Sequence, residues 1–160
     1  MSEQKTETLP LSTAASHLLE ECRMVLPGIQ ALFGFQLIAV FSNGFSIKLS
    51  DGEQMLHLCA LALVAASVSL VMAPAAYHRQ TSATHISEEF IRLASRLLLW
   101  SMPPLMFGIG IDFYLVARVI LYDSTLSLFI AVILVALFSF LWFLLPRLKE
   151  HSAQLLLRDQ

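Results

Sequence analysis

Long stretches without Asp, Glu, Lys or Arg constrain this chain more than any other feature. The first such window runs from Met24 to Ile47. Its 24 residues, as a helix rising ~1.5 Å per residue, cover roughly 36 Å, enough for a hydrocarbon core of about 30 Å. A second window spans Gln54 to Tyr77, and Thr125 to Leu145 is almost wholly aliphatic and aromatic. A further apolar segment at about 93–118 holds one carboxylate well inside it, Asp112. Charged residues are 14% of the chain, against about 25% in an ordinary soluble domain. They sit in clusters between the windows. The pattern predicts an all-α polytopic membrane protein with four transmembrane helices in a single domain, at about 26–46, 55–76, 93–118 and 125–145.

The segments between the windows set the organisation. Residues 1–11 are polar, with no apolar core of a signal peptide, so the first window is expected to stay as an anchor. Ser12, Thr13 or Ser16 can cap a helix through Leu18–Arg23, and Pro27 then breaks or kinks the path into the first span. Asp51-Gly52 marks a turn before the second span. Ala62, Ala65, Ala66, Ser69 and Ala73 form a small-residue face suited to close helix packing. Residues 77–92 form a polar loop. Pro103-Pro104 must bend the third span. Pro146 ends the fourth, and 147–160 is a short tail.

Charge gives the topology. With four spans, the termini and the 77–92 loop share a side. That side carries eight of the ten basic residues, leaving Lys48 and Arg118 on the other. The excess of basic residues predicts that both termini are cytoplasmic. Net charge is −2, which gives no basic surface for nucleic acid.

Polar residues inside or beside the spans are the candidates for chemistry. Glu20, Arg23, Pro27, Gln30 and Gly34 recur at spacings of three and four, so one face of the first helix is polar or small. It either lines a polar pathway or rests against a neighbouring helix, with Glu20 and Arg23 as an ion pair. Gln36 lies off this stripe. Asp112 is either an intramembrane proton or cation ligand or a solvated group near the headgroups. It shares a face with Ser101 and Gly108, which favours an inward orientation. His78 and Arg79 with Arg92 and Arg96 form a basic cytoplasmic rim, either as positive-inside anchors or as a site for an anion or acidic lipid. His57 and His78 share a helix face but lie ~31 Å apart along its axis, so they do not hold one metal. Cys22 and Cys59 fall near opposite membrane faces, where a disulfide is not expected. No metal, cofactor or enzymatic motif is read from the chain.

Two stretches carry a family resemblance. Glu21-x-Arg23-x-x-x-Pro27-Gly28-x-Gln30-x-Leu32-Phe33-Gly34-Phe35, followed by Phe41 and Phe45, resembles the first helix of a family of small bacterial membrane proteins filed as a domain of unknown function. Ala73-Pro74-x-Ala76-x-His78-Arg79, followed by Arg92-Leu93-Ala94, resembles that family's second signature. Val40 departs from it where similar sequences often place proline. The resemblance implies a four-span bacterial inner-membrane protein and brings no activity with it.

The expected function is therefore an oligomeric channel or transporter-like protein for ions or small solutes, lined by Glu20, Arg23 and Gln30. On that expectation Gln30→Leu abolishes flux. The alternative is a non-transporting membrane scaffold or interaction subunit. The expected partners are the lipid bilayer, further copies of the chain, and an anionic lipid or ion at the rim.

Overall fold

The computed structural model describes residues 10–80 and 88–148. They form α1 (Leu11–Val40), α2 (Asn43–Lys48), α3 (Asp51–Gln80), α4 (Glu88–Leu121) and α5 (Ser124–Ser139), the last continuing through a π-helical turn, Phe140–Leu144. Four helices are long and apolar enough to cross a membrane: Thr13–Val40, Asp51–Gln80, Glu88–Leu121 and Ser124–Leu148. The chain is thus an all-α, four-span protein. Helices α1, α3 and α4 pack on one another, and α5 lies against α4.

A seven-residue repeat underlies the three-helix core. The buried residues of α1 include Ala15, Cys22, Ile29 and Gln36. On α3 they are His57, Ala60, Val64, Ser67, Val71 and Pro74, and on α4 they include Ala94, Ser101, Gly108 and Leu115. Spacings of three, four and seven keep a narrow seam facing the neighbour, as in left-handed helix packing. Most seam residues are small or β-branched, so backbones approach closely where lipid supplies no hydrophobic drive. A Cβ added to Gly108 would lie 2.8 Å from Val64 Cγ2 and 3.2 Å from the Ala60 carbonyl. One added to Gly110 would lie 2.5 Å from Val135 Cγ2 on α5. Beside Pro103 and Pro104, which lie inside α4 without ending it, the Ser67 hydroxyl donates to the Ser101 carbonyl at 2.9 Å.

Several boundaries differ from the sequence expectation. Pro27 lies inside one continuous helix, and α1 ends at Val40 rather than near 46. Thr13 and Ser16 sit within α1, whose first N–H groups reach the Pro10 carbonyl instead of a side-chain cap. Asp51-Gly52 is the first turn of α3, not a turn between helices. Ser50 and Glu53 form a reciprocal capping box there: Ser50 N–H and Oγ each donate to Glu53 Oε2 at 2.8 Å, and Glu53 N–H donates to Ser50 Oγ at 3.4 Å. The loop of 77–92 is shorter than expected, since helix runs to Gln80 and resumes at Glu88. Pro146 does not end the fourth span. The turn before it widens to π geometry, and helix continues to Leu148. Ala62, Ala66 and Ser69 point outward, with Ala65 and Ala73 half-buried, so the small-residue face is not the seam. The seam took the neighbouring register, His57, Ala60, Val64, Ser67, Val71 and Pro74. Most of the tail lies outside the described residues.

Gly108 and Gly34 test this packing. Gly108→Val should destabilise by roughly 1–3 kcal/mol through overpacking between α3 and α4. Gly34→Ala, with nothing within 4 Å of the added carbon, should leave stability unchanged or higher. Thermal unfolding in detergent measures both.

Candidate functional site

Three polar side chains meet at the end of the bundle where α1 and α4 finish and α3 begins. Gln36 is on the buried seam of α1, four residues before its end; His57 is six residues into α3; Asp112 is nine residues before the end of α4. The helices run in alternating directions, so these offsets of ~6, 9 and 14 Å put the three at similar depth. The ends are tied together around them. Glu53, whose capping box starts α3, reaches Arg118 Nε on α4 at 3.5 Å. Phe45 on α2 sets its ring edge-on to His57, with centroids 5.2 Å apart. α2 is therefore a short lid over the imidazole.

The Gln36 amide nitrogen donates to Asp112 Oδ2. His57 Nδ1 lies 3.2 Å from Asp112 Oδ1, in ion-pair range though off hydrogen-bond alignment. His57 Nε2 lies 3.0 Å from the Gln36 backbone carbonyl. A carbonyl only accepts, so Nε2 must carry a hydrogen. The Nδ1–Oδ1 contact then decides the proton count. With no proton there, a lone pair faces a carboxylate. With two, a charged imidazolium faces a neutral acid. With one, the pair is neutral overall or a close zwitterion, the state that a low-dielectric bundle tolerates best. Gln36 Oε1 is buried without a partner, in a residue only 4% exposed. An acceptor in that position calls for a donor from outside the chain.

A cavity of about 340 Å³ adjoins the cluster. Gln36, His57 and Asp112 form its polar wall, while Leu32, Phe35, Leu115 and Val119 are among its apolar walls. It opens sideways between α1 and α4, past exposed Phe35, Val116 and Ile120. On the other side of Phe45 and His57 lies a second cavity, about 480 Å³, which reaches Asp51 and Gln54 at the start of α3. His57 lines both. Toward the opposite end of the bundle the core closes with Ile29, Val64, Val71, Leu98 and Leu105. His57 and Asp112 are two potential metal ligands, but among the described residues no third His, Cys, Asp or Glu joins them.

The residues predicted from sequence fall into separate places. Asp112 turns inward, its side chain 18% exposed. Glu20 is exposed and lies 3.9 Å from His17 rather than paired with Arg23. Gln30 is exposed, and Gly34 half-buried, on a different side of α1 from Gln36. The basic rim divides. Arg92 pairs with Glu88 at 3.3 Å, and Arg96 is exposed. His78 and Arg79 instead share a groove with Arg23. The sequence reading missed Gln36 and His57 as site residues. A signal for them exists. Gln36 continues the seven-residue series Ala15, Cys22, Ile29; His57 precedes Val64 and Val71 by the same step; Asp112 follows Leu98 and Leu105.

A family model described as a family of unknown function (DUF6328) matches residues 4–146. The chain belongs to this family. The match covers all four candidate spans except the last residues of the fourth, and so extends the resemblance carried by the Glu21–Phe35 and Ala73–Arg79 stretches. A comparison with curated proteins and one with solved structures found no match. The DUF6328 description assigns no activity, so the geometry of the site carries the functional argument.

If Asp112 and His57 share a proton, their substitutions are coupled. A double-mutant cycle with Asp112→Asn and His57→Gln should give an interaction energy of about 1–2 kcal/mol, at the upper end for polar contacts between membrane helices. Reversible unfolding in mixed micelles measures it. An independent pair such as Arg92→Gln with Asp112→Asn should be additive.

Proposed function

We propose that this protein is a transporter-like membrane protein that takes a small lipophilic cation or amine into the sideways-opening cavity and exchanges it for the proton shared by His57 and Asp112. The observation that carries this reading is the His57–Asp112 pair, beside the unpartnered Gln36 Oε1, on the wall of an otherwise apolar cavity. An intramembrane carboxylate is by default a functional site. Here it faces a space whose remaining walls suit a hydrocarbon or aromatic body. A solute bearing N–H or a positive centre would complete the cluster: its charge replaces the proton on Asp112, and its hydrogen satisfies Gln36 Oε1. The cavity reaching Asp51 and Gln54 gives His57 a separate route for the released proton.

The location proposed is a bacterial inner membrane with both termini cytoplasmic, on the basis of the basic-residue distribution. The cluster then lies in the outer half of the bilayer. Passage to the inner half requires α1 to move against α3, since apolar side chains close that path. The exposed stripe of Glu20, Arg23, Gln30 and Gly34 fits a second arrangement, a pore at the centre of a homo-oligomer. That arrangement leaves the paired carboxylate without a role, so the cavity reading is preferred.

Proteoliposomes with DNA trapped inside report ethidium entry by fluorescence. With an acidic lumen, wild-type protein should accelerate entry, and Asp112→Asn should reduce the rate to that of protein-free vesicles. Gln30→Leu should keep most of it. Loss of flux in Gln30→Leu with retention in Asp112→Asn would instead support the oligomeric pore. Ethidium binding without flux would support the non-transporting alternative.

A further inference from the structure

At the other end of the bundle, α1 and α3 enclose a second kind of site. Arg23, His78 and Arg79 line a cavity of about 250 Å³ together with Leu26, Val71 and Met72. The basic residues come from two helices that run in opposite directions. Each lies just beyond a charge-free window, Met24–Ile47, which begins on α1, and Gln54–Tyr77 on α3. In a membrane that position is the headgroup layer. The apolar members lie one to two turns deeper, where the hydrocarbon begins. His78 is held in place from α4: its ring lies 5.7 Å from Phe90, which also stacks on Tyr77 at 5.9 Å. Among the described residues neither Arg23 nor Arg79 makes an ion pair. The nearest acids in sequence, Glu20 and Glu21, are exposed and do not line the cavity.

We propose that this groove binds an anionic phospholipid, with the phosphate between Arg23, Arg79 and His78 and an acyl chain running along Leu26, Val71 and Met72. Two guanidinium groups converging from separate helices suit the several oxygens of a phosphate. An apolar floor continuous with the basic side chains separates a lipid from a free anion, which has no use for it. Positive-inside anchoring alone explains basic residues near helix ends, but it does not require them to converge. Arg92 shows the contrast, since it sits at the same end and pairs with Glu88 within its own helix. A lipid seated here would bridge α1 to α3 at the end opposite the Gln36–His57–Asp112 cluster.

Native mass spectrometry of the full chain, released from detergent with phosphatidylglycerol, phosphatidylcholine or inorganic phosphate, tests this. Phosphatidylglycerol should bind wild type with a Kd at least tenfold below that of phosphatidylcholine. Each basic side chain near an anionic headgroup contributes about a fivefold factor, so Arg23→Gln with Arg79→Gln should weaken binding roughly 30-fold. Arg92→Gln should leave it unchanged, and Met72→Trp, which fills the floor, should weaken the lipid without restoring selectivity for phosphate. Equal binding of the two lipids overturns the proposal, as does an equal loss in Arg92→Gln. Retention of inorganic phosphate with no preference for phosphatidylglycerol overturns the lipid assignment. Circular dichroism of each variant separates lost binding from lost fold.

Discussion

A carboxylate placed in the interior of four apolar helices has to be neutralised, and much of this structure follows from how Asp112 is. Its two oxygens face two other helices: Oδ2 accepts from the Gln36 amide, and Oδ1 lies in ion-pair range of the His57 imidazole without an aligned hydrogen bond. The imidazole in turn is held through Nε2 by the backbone of α1. Three helices are therefore linked through one ionisable group. Removing one member leaves the others buried and unpaired, which is why such arrangements cost more to break than to omit. Gln36 Oε1 and Asp112 Oδ1 have no hydrogen-bond partner even with all three in place, so the cluster is complete as a linkage and incomplete as a hydrogen-bonding unit.

Packing supplies the register that this linkage needs. The seven-residue seams bring α1, α3 and α4 together along most of their length, and Gly108 admits the backbone of α3 closely enough to set His57 opposite Asp112. The capping box at Ser50 and Glu53 fixes where α3 starts, and Glu53 passes the same constraint to Arg118 on α4. The molecule then has two unlike ends, the Gln36–His57–Asp112 cluster beside α2 and a basic groove between α1 and α3. An apolar core lies between them.

The fold was legible because charge-free windows and bilayer thickness leave few alternatives. Boundaries were less so, since Pro27 and Pro146 both lie inside helices, where the sequence alone reads Pro27 as a break or kink and Pro146 as a stop. Asp112 was legible as the carboxylate inside a span. Gln36 and His57 were not, because each was weighed on its own helix: Gln36 as an outlier from a stripe and His57 as a histidine without a metal partner. Their meaning lies in matched depth across three helices of alternating direction, and that depends on where α1 ends and α3 begins. The Gln30 stripe lies off the buried seam for the complementary reason. Regular spacing on one helix does not say which face the neighbours take, and here Ala15, Cys22, Ile29 and Gln36 took it.

The central claim is that the His57–Asp112 pair holds one proton which a bound cation displaces. Proton release on adding ethidium to purified protein in weakly buffered detergent addresses it directly. The account predicts close to one proton released per bound ethidium in the wild-type protein, and none in Asp112→Asn. Saturable binding with no proton release, or the same release from Asp112→Asn, would contradict it.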